Sequence, residues 1–153
     1  MSVAKGTRVS HRLRGRTRQP AGPRETTRVA LQRGRELYGQ GRFFEAHEVW
    51  EGAWLAEQGD VRLLLHALIQ VAAAYVKAVR DLRPDAAVKL LDSATRKLSQ
   101  LPDKVAGVEL RPFRLDLALA IEAAHRWRDG ASECLEARPP ILHLDGESRH
   151  WSP

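Results

Sequence analysis

Between Val61 and Val79 the chain is apolar on nearly every side of a helix. The polar residues of this stretch, Arg62, His66, Gln70 and Lys77, with Asp81 just beyond, fall along one line at helical spacing. A helix with so narrow a polar strip belongs at the centre of a structure, because an apolar circumference needs neighbours on most sides. The line is either the narrow solvent face of that helix or a polar spot turned inward. Periodicity fixes the line but not its direction.

The flanking segments can supply the neighbours. Helical patterning begins near Glu25, with Ala30, Gly34, Leu37 and Tyr38 about one or two turns apart, and Gly39 and Gly41 break it. A second helix is expected from about Arg42 to Glu57, with Phe43, Ala46, Val49, Trp50, Ala53 and Trp54 as its apolar stripe. Gly59 stops it, and Asp60 reads as the N-cap of the central helix. A fourth helix starts with Pro84 in its first turn and runs to Leu101. A fifth spans about Pro112 to Arg128 and ends at Gly130. No segment reads as a strand. The fold class expected is therefore all-α, a compact antiparallel bundle of about five helices over residues 25–130. Residues 131–153 read as an extended C-terminal tail, whose Ile141, Leu142 and Leu144 could dock on the bundle.

The net charge of +6 is not spread over this bundle. Residues 1–24 read as a disordered basic arm holding Lys5, Arg8, Arg12, Arg14, Arg16, Arg18 and Arg24 and no acid, which leaves the rest close to neutral. The arm supports non-specific nucleic-acid contact through Arg8, Arg12, Arg14, Arg16 and Arg18, because each neutralised phosphate releases a counterion. Lacking aromatic residues, it has nothing on which to stack bases. The alternative is a solubilising extension with no partner. The single cysteine, Cys134, permits no internal disulfide, and no apolar signal segment or membrane span is seen, so a cytoplasmic protein is expected. Phosphate-loop, dinucleotide and Gly-x-Ser-x-Gly motifs are all lacking.

Chemistry can be argued at one place. His47 and Glu51 lie four positions apart and can meet on one helix face, about 6 Å apart, with Glu48 and Glu45 beside them. His66 and Gln70 repeat the spacing on the next helix. In a helical hairpin both pairs can converge, so Glu45, His47, Glu48, Glu51, His66 and Gln70 form a candidate polar cluster. As a divalent transition-metal centre it would use His47, Glu51 and His66 as ligands and Glu48 as general base of a hydrolase or oxidase. Against this, Gln is a poor transition-metal ligand, no Glu-x-x-His recurs, and there is no His-Glu-x-x-His. The competing reading is a hydrogen-bonded cluster that sets helix register, with no cofactor. Trp50 and Trp54 could bracket a flat ligand, although helical spacing favours a core role.

The run Phe43-Phe44-Glu45-Ala46-His47-Glu48-Val49-Trp50-Glu51, followed by Leu68-Ile69-Gln70-Val71-Ala72-Ala73-Ala74 and Ala86-Ala87-Val88-Lys89-Leu90-Leu91, resembles the family called domain of unknown function 309. The resemblance covers about Val29 to Leu101. It implies a compact helical bundle, often in a bacterial or archaeal cytosolic protein, and implies no established activity. The family often has Asn or Gly in the turn after the third helix, where this chain has Asp81-Leu82-Arg83-Pro84. The basic arm is not part of the family pattern. The function expected is a non-enzymatic helical module that binds a protein partner or a second copy of itself. The metal-dependent enzyme and the nucleic-acid-associated protein are the alternatives.

Overall fold

The structure, a computed structural model, describes residues 22–130 and 139–145. Most of the basic arm, with Arg8, Arg12, Arg14, Arg16 and Arg18, lies outside the described residues, as does Cys134. Five helices make up the described fold: α1 (Glu25–Gly39), α2 (Phe43–Trp54), α3 (Gly59–Val79), α4 (Pro84–Leu98) and α5 (Leu110–Arg128). Each of α2 to α5 packs on the helix before it in the chain. Gly41, at φ +78, turns the chain between α1 and α2 in a conformation that a side chain would oppose.

The central helix of the sequence is the central helix of the fold. Leu64, Leu65, Ala67, Leu68, Val71, Ala72, Ala74, Tyr75 and Ala78 of α3 are buried. By length and composition Gly59–Val79 would suit a membrane, but 61% of its most apolar window is covered by the rest of the bundle. The polar line Arg62, His66, Gln70 and Lys77 is neither an open solvent face nor an inward spot. All four residues are half-buried, at the rim of the helix. Asp60 does not cap α3. Gln58 occupies that position without a side-chain cap, and Asp60 lies in the first turn, where a carboxylate still favours the helix dipole.

Close packing of α2 on α1 depends on one small residue. Trp50 is 1% exposed, and its indole lies over Gly34 of α1. A Cβ at residue 34 would stand 2.1 Å from Trp50 Nε1. Tyr38 and Phe43 complete the aromatic wall, with Tyr38 5.9 Å from Trp50 and Phe43 5.2 Å from Tyr75 between ring centres.

Three two-residue strands depart from the all-helical expectation. β1 (Lys104–Val105) and β2 (Val108–Glu109) form an antiparallel hairpin, and β3 (His143–Leu144) pairs antiparallel with β2. Two residues are too few to show a period of two. The turn, Ala106 at φ +51 and Gly107 at φ +81, has the left-handed pair usual in tight hairpins without the Asn-Gly that normally announces it. β3 belongs to a strap, residues 139–145, that crosses the bundle. Tyr38 Oη donates to Pro140 O at 2.7 Å and the Ile141 amide donates to Asp116 Oδ2 at 3.1 Å, while Leu142 is 2% exposed.

Helix ends are satisfied from a distance. Arg114 of α5 donates to the Leu98 carbonyl at 2.9 Å and to the Pro102 carbonyl at 3.2 Å, closing the C-terminus of α4. The turn before α4 holds Leu82 at φ +51, 64% exposed. A leucine gains nothing there and carries a left-handed backbone, whereas Asn or Gly would adopt it at little cost.

Candidate functional site

α2 presents two faces because its stripe of Ala46 and Trp50 is buried, leaving the edge between stripe and solvent to Phe44, His47, Glu48 and Glu51. Glu45 is held locally. Arg42 clasps both its carboxylate oxygens, and this pairing keeps its carboxyl below the usual range. His47 Nδ1 stands 3.6 Å from Glu51 Oε2, near enough for an ion pair but too far for a hydrogen bond, so this buried nitrogen has no hydrogen-bond partner. Glu48 and Glu51 are exposed.

His66 belongs to a different environment. Its ring is 5.4 Å from that of Trp54, and the Arg62 guanidinium lies 4.1 Å over the same indole. Burial lowers the His66 pKa from its ordinary value, and the nearby charges of Lys97 and Arg62 lower it further. The groups acting on His66 are thus aromatic and cationic, the opposite of what a metal ligand set supplies. Gln70 is half-buried, and its Oε1 is buried without a hydrogen-bond partner. Among the described residues, no group of three or more His, Cys, Asp or Glu is placed to hold a metal ion. The convergence on which the metal reading of His47, Glu51 and His66 depended is therefore not part of the described geometry. Trp50 is core, while Trp54 is half-buried between Arg62 and His66, so the two indoles do not bracket a common slot.

Three features escaped sequence reasoning. Phe44 is 50% exposed yet flanked on two sides, by the stacked His47 ring at 6.2 Å and 11° and by the Arg80 guanidinium at 5.8 Å. Its signal was the doubled Phe43-Phe44, of which only one can face the core. Arg80 carried no signal, since it follows α3. Glu57, in the loop after α2, is 7% exposed and accepts hydrogen bonds from Thr27 Oγ1 at 2.6 Å and from the Arg24 amide at 2.8 Å. Arg24 is the N-cap position of α1 and offers no side-chain cap, and Glu57 instead holds its amide and the Thr27 hydroxyl, placing a carboxylate beside the positive end of the helix dipole.

The model of the family described as Domain of unknown function (DUF309) matches residues 31–90. This part of the chain is a DUF309 domain. No curated protein matches the chain. The DUF309 domain takes in most of α1, all of α2 and α3 and the first half of α4. It contains every residue of the candidate polar cluster, together with Phe44 and Arg80. Its core is completed from outside its own limits, by Leu91, Ala94 and Leu98 of α4 and by Phe113, Leu117 and Trp127 of α5.

Proposed function

We propose that the chain is a non-catalytic helical module that binds a protein partner through the outer edge of α2. One observation carries this reading: Phe44 is half-exposed and already held in place by His47 and Arg80. Exposed aromatic side chains are the usual anchors of protein interfaces, and a clamped one loses less freedom on binding. The exposed carboxylates of Glu48 and Glu51 lie on the same helix, suited to a partner that brings an apolar pocket with basic groups at its rim.

The test uses a photoreactive phenylalanine analogue at position 44 or 48 of the full chain, in the producing cells, with Gln32 of α1 as the control position. The same partner is expected at 44 and 48 and not at 32. With that partner purified, Phe44→Ala should weaken binding about thirtyfold, the scale of an interface anchor, with an unchanged circular dichroism melt. Equal binding by Phe44→Ala, or no adduct at either α2 position, overturns the reading.

A further inference from the structure

We propose that a second copy of this chain docks on the outer face of α5, forming a two-fold symmetric, antiparallel helix pair. α5 lies outside the DUF309 domain and uses its inner side, Phe113, Leu117, Ala120, Ala124 and Trp127, to pack on the bundle. Its outer side still exposes two large apolar residues one turn apart, Leu115 at 67% and Leu119 at 62%. Ile141 of the strap, 37% exposed, is tied beside α5 by the bond from its amide to Asp116.

The charges around the leucines select the occupant. Arg111 lies one turn before Leu115 and Glu122 about one turn after Leu119, both exposed, and neither has an ion-pair partner among the described residues. A symmetric contact must bring residue i against j and j against i. In an antiparallel pair centred between the leucines, Leu115 of one copy faces Leu119 of the other, and Arg111 faces Glu122 at both ends. A parallel pair would set arginine against arginine and glutamate against glutamate. For these four residues the antiparallel orientation is therefore the complementary one. Exposed ion pairs contribute little affinity, so they set the register while the leucines supply the attraction.

The experiment is sedimentation of the full chain from about 1 µM to about 1 mM, a span that reaches weak dimers. A shift from 17.2 kDa to twice that mass is expected within it. Leu115→Asp with Leu119→Asp should leave a monomer with an unchanged melt, because both side chains already face solvent. Arg111→Glu or Glu122→Arg alone should weaken the dimer, and the two together should restore it. A monomer throughout, or a dimer indifferent to the leucine changes, overturns the proposal. The inference shares with the α2 reading only the premise of a binding module, and photocrosslinking at Phe44 would still succeed if the dimer failed.

Discussion

Replacing Gly34 by alanine should lower the stability of the chain by about 3 kcal/mol, although alanine is the better helix former by about 1 kcal/mol. The new methyl would stand 2.1 Å from Trp50 Nε1, 2.5 Å from Cε2 and 2.7 Å from Cδ1. These atoms belong to a rigid ring that is 1% exposed, so neither helix can yield without moving the other. Urea unfolding followed by circular dichroism reads the loss directly, and a midpoint equal to that of the unaltered chain would mean that α1 and α2 are not so closely packed. The partner change makes the cause specific. In a Trp50→Phe background the indole edge is gone, and Gly34→Ala should then cost about 1 kcal/mol or less, a coupling that a double-mutant cycle isolates.

The second large effect is expected at Glu57. Glu57→Ala removes the acceptor of two hydrogen bonds and leaves the Thr27 hydroxyl, 0% exposed, without a partner. Hydrogen bonds to a charged group are worth about 1.5–3 kcal/mol each, and an orphaned buried donor adds its own desolvation cost, so a loss of about 3 kcal/mol is expected. Glu57→Gln keeps an acceptor and should lose about half as much. Thr27→Val removes the donor and fills its space, so Glu57→Ala should cost less in that background. Because the carboxylate ties down the start of α1 from a distant loop, hydrogen exchange in Glu57→Ala should show the first turn of α1 opening before the rest of the bundle. A Glu57→Ala chain as stable as the original would remove Glu57 from the account of how α1 begins.

These two sites show how much the sequence could reveal. The helices were legible because stripes such as Ala46 with Trp50, or Ala87 with Leu91 and Ala94, recur at one-turn spacing whatever they touch. Gly34 was visible as a member of such a stripe, but its purpose depends on an indole from another helix. Glu57 had no pattern at all, since its partners lie 30 and 33 positions earlier. The strands were too short to carry a period, and β3 finds β2 only through the strap. Within the candidate cluster, helical spacing put His47 and Glu51 on one face, where Nδ1 and Oε2 stand 3.6 Å apart. It could not say what faces His66, because Lys97 and Trp54 come from the helices on either side.

The central claim is that α2 divides into a packing face and an outer recognition edge, and that His47 on this edge and His66 on α3 belong to separate surroundings, not to one reactive centre. Proton titration of the histidine ring resonances by NMR tests it most directly. His66 should titrate below the ordinary histidine range, move up toward it in Lys97→Gln, and remain unmoved in His47→Ala and Glu51→Ala. A His66 curve that shifts with His47 or Glu51 and ignores Lys97 would place these side chains around one shared site and contradict the account.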